Sequence, residues 1–176
     1  KKILDNITEE GTTDSTFNKH SKVLLIDGLN LFLRNFAIIN YVNEKNVHIG
    51  GLVGSLRSLG AYINLIQPTS VYVIFDGEGS ATNRKNLLPE YKSNRNISRM
   101  TNWEVFKNFE EEQEAKADQI GRLVHYLRCL PLHTIVIDKV EADDVIAHLS
   151  KKITETEGNH AYIVSADQDF LQLVDD

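Results

Sequence analysis

Seven carboxylates in this sequence fall where a short apolar run gives way to a turn or a helix start: Asp27, Asp76, Glu141, Asp143, Asp144, Asp167 and Asp169. Asp27 closes Val23-Leu24-Leu25-Ile26-Asp27, and Asp76 closes Val71-Tyr72-Val73-Ile74-Phe75-Asp76. Glu141, Asp143 and Asp144 follow Thr134-Ile135-Val136-Ile137-Asp138 after the turn Lys139-Val140, and Asp167 and Asp169 follow Tyr162-Ile163-Val164-Ser165. Like charges crowded together repel, and loss of water deepens the repulsion. A fold keeps such a cluster only if cations neutralise it. Carboxylate oxygens without a His/Cys set suit magnesium or manganese. Two such ions about 4 Å apart activate a water and stabilise the leaving oxygen of a phosphodiester. A plainer reading stands beside this one. A single Asp at a helix start is most often a cap, and Asp143 and Asp144 would also favour the positive end of a helix dipole. Asp138 ends a run too, but Glu141 follows closely, and Asp138 is read as structural.

The elements that must bring these acids together can be read from the apolar pattern. The four runs resemble strands buried on both faces. Between them lie helical spacings: Leu52, Val53, Leu56, Leu59, Ile63 and Ile66; Ile120, Leu123, Val124 and Leu127; and Ala142, Val145, Ile146, Leu149 and Ile153. Strands alternating with helices predict an α/β domain with a mainly parallel sheet, and in such sheets sites form beyond the carboxyl ends of the strands. Residues 1–20 read as a polar extension and 21–176 as one catalytic core. From Gly77 to about Met100 apolar periodicity is almost lost, and a loop this long in a compact domain is functional or disordered. Trp103, Phe106 and Phe109, followed by an acidic run, predict a helix leading back to the core, with acid-rich residues 104–114 read as a solvated helix and a partner-facing surface as the alternative.

Composition narrows the classes. A 176-residue chain buries enough surface to fold without staples, and its one cysteine, Cys129, excludes an internal disulfide framework. No apolar run approaches 18 residues and no signal-peptide pattern opens the chain, so the expectation is no membrane span and a reducing, cytoplasmic setting. The net charge of −6 speaks against nucleic acid only as an average. Between Arg84 and Arg99 stand five bases and one acid, and setting aside the seven acids named above turns −6 into +1. Lys92 and Arg95 are three apart, so a helix there would put both on one face, where they would bind and polarise a phosphate. A solvated loop is the alternative. Tyr91 would stack on a base or pack against the body.

These residues resemble the 5′-nuclease family, which includes bacteriophage 5′–3′ exonucleases (one long called a ribonuclease H), the 5′-nuclease domain of DNA polymerase I and flap endonucleases. The resemblance is carried by Leu25-Ile26-Asp27-Gly28 with Arg34, Phe75-Asp76-Gly77, Pro89-Glu90-Tyr91-Lys92-Ser93-Asn94-Arg95, Val140-Glu141-Ala142-Asp143-Asp144-Val145-Ile146, and Ser165-Ala166-Asp167-Gln168-Asp169-Phe170-Leu171-Gln172-Leu173-Val174, in that order over nearly the whole chain. It implies a PIN-like three-layer fold, with 77–115 forming a flexible basic arch or clamp, and two magnesium or manganese ions. Asp27, Asp76, Glu141, Asp143, Asp167 and Asp169 would be metal ligands or hold metal-bound water, with Asp144 a further candidate. Arg34 would face the scissile phosphate, and Arg84, Lys92 and Arg95 would line the arch over a single strand. The implied substrates are DNA with 5′ ends or flaps and RNA/DNA hybrids such as primers. Single-stranded-DNA-binding protein or a sliding clamp would be replication partners of a monomer. The family normally continues into a helix–three-turn–helix segment that grips duplex and adds second-metal ligands, and no such segment precedes Asp176.

Two other readings remain open: a PIN-type ribonuclease on single-stranded RNA, which needs no arch, and a non-catalytic nucleic-acid-binding module of the same fold. A small-molecule phosphatase leaves the basic stretch without a purpose. Exonuclease against endonuclease preference, and DNA against RNA, are not fixed by these residues.

Overall fold

The computed structural model describes residues 20–80 and 100–174. Its frame is a four-stranded parallel sheet of β1 (Lys22–Asp27), β2 (Ser70–Asp76), β3 (His133–Ile137) and β4 (His160–Val164), in the order β3-β2-β1-β4. Among the described residues, helices connect or follow the strands: α1 (Gly28–Ile38), α2 (Gly50–Ile66), α3 (Phe109–Leu127), α4 (Ala142–Thr154) and a closing 3-10 helix (Gln168–Leu173).

The burial of β1 explains why it is apolar throughout. Successive side chains of a strand face opposite sides. Leu24 and Ile26 join a cluster with Phe32, Phe36, Leu59, Phe75 and Leu123, on the side of α1, α2 and α3. Val23 and Leu25 join Ile74, Val145, Ile146 and Phe170, on the side of α4 and the 3-10 helix. The result is three layers, helix–sheet–helix, as the alternation of elements predicts. The expectation of burial on both faces holds for β1 and β2 but not for the other two strands. β3 and β4 are the sheet's edges among the described residues, and their side chains are half-buried or exposed. Their apolar content matches that of inner strands, so sequence alone does not separate them.

Register sets the site. Ile26 lies opposite Val73 and Val164, and Asp76 lies opposite Ile137, so the strands end nearly flush. The chain steps outward from β1 to β2 and β3, then crosses back to place β4 on the other side of β1. That reversal opens a crevice beyond the carboxyl ends of the strands.

Two other expectations are corrected. The returning helix begins at Phe109, capped by the Asn108 side chain, which accepts from Glu111 N at 2.8 Å. Trp103 precedes it in a turn and Phe106 lies just after that turn, with Phe106 buried and Trp103 exposed. The acidic face is not wholly solvated either, because Glu112 is fully buried. The polar extension expected over 1–20 lies almost wholly outside the described residues, as do Arg84, Tyr91, Lys92 and Arg95 of the expected arch.

Candidate active site

Asp27 stands where β1 turns directly into α1, and it is only 8% exposed. Its carboxylate caps the helix, accepting from Asn30 N at 2.9 Å, and takes a second bond from Ser165 Oγ at 3.3 Å. Asn30 Oδ1 in turn accepts from Ala166 N at 3.0 Å, so the loop after β4 is stitched to the first turn of α1. The next residue, Gly28, allows this sharp turn to pack closely: a Cβ there would lie 2.6 Å from the Phe75 ring.

Asp76 projects from the end of β2 and accepts from Ala142 N, the first helical residue of α4, at 2.7 Å. Gly77 lets the strand end lie against the β3–α4 turn, since a Cβ there would meet Ile137 O at 1.8 Å. Glu141 precedes α4 and is 2% exposed, with its side chain not used as the helix cap. Asp143 follows in the first turn, half-buried. Asp167 caps the 3-10 helix, accepting from Asp169 N at 3.0 Å. The plainer reading of these acids as caps is therefore correct for Asp27 and Asp167, and Asp76 binds the helix-start amide of Ala142. Capping uses one oxygen of each; the second oxygen of Asp27 accepts from Ser165 Oγ.

The electrostatics show which acids share a neighbourhood. Burial pushes the Asp143 carboxyl up to about 6, and the charges of Asp27, Asp167, Asp76 and Glu141 add to the rise. Asp27 is also raised, first by burial and then by Asp76 and Asp167, against the lowering effect of its bonds to Asn30 and Ser165. Five carboxylates from four chain segments thus act on one another at the strand-end edge. Asp144 and Asp169 do not appear among the charges acting on Asp143. Asp169 is exposed.

The donor set is all carboxylate oxygen, which fits a hard divalent cation and not a soft one. Among the described residues, however, no group of three or more His, Cys, Asp or Glu side chains is already arranged to hold an ion. Burial first, and then the charges of the neighbouring carboxylates, raise Asp143 and Asp27. The interaction between the charges is the better guide to neighbourhood, and closing onto an ion requires the side chains to converge.

Arg34 lies on α1, exposed, and lines a cavity of about 420 Å³ with Asn30, Ser58, Tyr62, Ser165 and Ala166. That cavity shares Asn30 and Ser165 with the surroundings of Asp27. Neither residue was singled out from sequence as a site residue. Asn30 falls three places after Asp27, the spacing of a residue in a capped first turn, and that was the available signal.

A family model described as "5′-3′ exonuclease, N-terminal resolvase-like domain" matches residues 22–176. The chain belongs to this family. It is 33% identical over 153 residues to a protein named flap endonuclease Xni from Shewanella sp. strain MR-4, covering 87% of this chain and 51% of that protein. It is 34% identical over 161 residues to a 5′-3′ exonuclease of Buchnera aphidicola subsp. Acyrthosiphon pisum, covering 89% of this chain and 50% of that one. The chain therefore spans about half the length of these curated relatives. Among solved structures, a bacteriophage T5 5′-exonuclease with bound zinc matches with a TM-score of 0.66 at 21% identity, over 88% of this chain and 52% of that chain. A T5 flap endonuclease solved with DNA and metal ions matches with the same score at 20% identity. At these identities the structural likeness establishes the fold, and it agrees with the PIN-like architecture read from sequence.

Proposed function

We propose that this protein hydrolyses phosphodiester bonds near 5′ ends or flaps, with two magnesium or manganese ions held at the strand-end edge. The observation that supports this reading is that Asp143, raised first by burial, is raised further by four other carboxylates, Asp27, Asp76, Glu141 and Asp167, so that four separate segments contribute to one field. No structural role of these residues requires them to share one field, and their repulsion is a cost that divalent ions remove. Asp27, Asp76, Glu141, Asp143 and Asp167 would hold the ions, with Asp169 and Asp144 at the margin. The chemistry such ions supply when bound is activation of a water and neutralisation of charge on the reacting phosphate.

The chain's own residues do the rest. Ser165 and Asn30 keep the Asp27 carboxylate at a fixed angle, and their bonds offset part of the rise that burial imposes on it. The Ala142 amide holds Asp76 in place by its bond to Oδ1. Arg34, beside Asn30 at the rim, places a permanent positive charge where a phosphate meets the carboxylate edge, and a guanidinium binds phosphate through two parallel bonds. Lys92 and Arg95, with Arg84 and Tyr91, would hold the single strand. The relatives' names and the DNA in a T5 structure support DNA as the substrate class.

The test is a labelled 5′-flap duplex incubated with magnesium or manganese. Wild-type protein is expected to release the flap, and Asp76→Ala or Asp143→Ala to reduce the rate by at least about 100-fold, the scale for losing a group that organises transition-state charge. Cleavage at the wild-type rate by either variant would refute the assignment. Binding of the flap without cutting at any concentration of either metal would favour the non-catalytic module instead.

A further inference from the structure

Away from the carboxylate edge lies one ionisable group that the reaction does not use. Glu112, in the first turns of α3, is 0% exposed. A carboxylate this deep is costly unless its oxygens are filled with donors, and here they are. Thr101 N donates to both oxygens, at 2.9 and 3.1 Å, the Thr101 hydroxyl donates to Oε1, Asn102 N donates at 3.2 Å, and Lys116 Nζ pairs at 3.2 Å. Burial pushes the carboxyl up, but the bonds from Thr101 and Lys116 outweigh it and hold it below the ordinary range.

The node extends to the C-terminal end of α1. Asn102 is 3% exposed and donates through Nδ2 to Phe36 O at 3.3 Å and to Asn40 Oδ1 at 2.7 Å. Asn40 Nδ2 then donates to Glu104 Oε2 at 2.7 Å, and Phe106 stacks on Phe36 with ring centroids 5.4 Å apart. Stability alone does not call for this arrangement, because a buried ion pair is commonly matched or bettered by apolar packing of the same volume. Directional bonds to two successive backbone amides fix a place for the chain, which apolar packing does less exactingly.

The place they fix is specific. Residues 101 and 102 follow directly on the stretch that holds Arg84, Lys92 and Arg95, and α1 carries Arg34. We propose that Glu112 is a positioning residue for strand binding: by tying Thr101 and Asn102 to α3 and to the last turn of α1, it holds these two residues in register with the helix that carries Arg34. This rests on the reading of that stretch as strand-binding under Proposed function.

The experiment measures the affinity of a fluorescein-labelled single-stranded DNA in EDTA, so that it does not depend on cleavage, alongside KM and kcat on the flap duplex with magnesium. Glu112→Gln keeps the side chain's size but turns one acceptor into a donor facing other donors. It is expected to stay folded by circular dichroism and to weaken single-strand binding about tenfold, the scale for misfitting one charge-assisted bond in a buried node. KM should rise in proportion, with kcat within about twofold of wild type. Thr101→Ser keeps the hydroxyl and should bind within about twofold, as a change without a named defect does. If Glu112→Gln does not fold, Asn102→Ala, which cuts the tie to α1 and leaves the carboxylate filled, should show the same loss of affinity. Wild-type affinity in folded Glu112→Gln, a fall in kcat at unchanged KM, failure of both variants to fold, or a wild-type protein that binds no single strand would each overturn the inference. Strand binding that responds to Glu112 in a protein that never cuts would uphold the inference while removing the proposed activity.

Discussion

Asp143 carries a charge the fold would rather not have, and its titration gives two predictions. Its carboxyl rises from an ordinary 3.8 to about 6. A carboxyl raised on folding opposes folding wherever it is ionised, so the cost is full above about pH 6 and relaxes as the pH falls towards 3.8. Without metal, the melting temperature should be higher at pH 5 than at pH 7.5, and Asp143→Asn should abolish most of that difference. With magnesium present the order reverses for activity: protonation competes with the ion, so flap cleavage should fall as the pH drops through about 6. Cleavage as fast at pH 5 as at pH 7.5 would refute this. Asp27, Asp76, Glu141, Asp143 and Asp167 were legible as a group because each follows an apolar run whose end the sheet must place. Ser165 and Glu112 were not, because their roles are fixed by partners that the fold brings near: Ser165 and Asp27 are 138 residues apart.

At the scale of elements, α3 and α4 show two ways a helix is held. The first turn of α3 depends on the Asn108 cap, and Asn108→Ala should lower stability by about 1 kcal/mol by chemical denaturation. α4 depends on packing: Ile146 is 0% exposed between β1 and β2, and Ile146→Ala should cost about 2–5 kcal/mol. A loss under 1 kcal/mol at Ile146 would mean the α4 layer is loosely packed. The alternation of strands and helices was plain in the sequence, since each apolar run and each helical spacing reports on its own element. Which strands are central was not, because β4 pairs with β1 across a distance no local pattern encodes. The start of α3 was misplaced for a related reason: Trp103 and Phe106 fall near helical spacing, yet Phe106 is buried by stacking on Phe36 outside any helix.

For the molecule as a whole, the proposed metal-holding role of the carboxylate edge predicts that stability depends on divalent ions. An ion that binds the folded state alone adds RT ln(1 + [L]/Kd), about 2.7 kcal/mol at a hundredfold excess over Kd. Millimolar magnesium should therefore raise the melting temperature at pH 7.5, and Asp76→Ala should remove much of the gain. An equal rise in wild type and variant would place the ion elsewhere. The sheet carries a different consequence. Among the described residues β4 pairs with β1 alone, so one row of its amides and carbonyls has no strand partner there. Roughly half of its N–H groups should trade hydrogen for deuterium far sooner than those of β1, two neighbouring ribbons of one sheet keeping very different clocks.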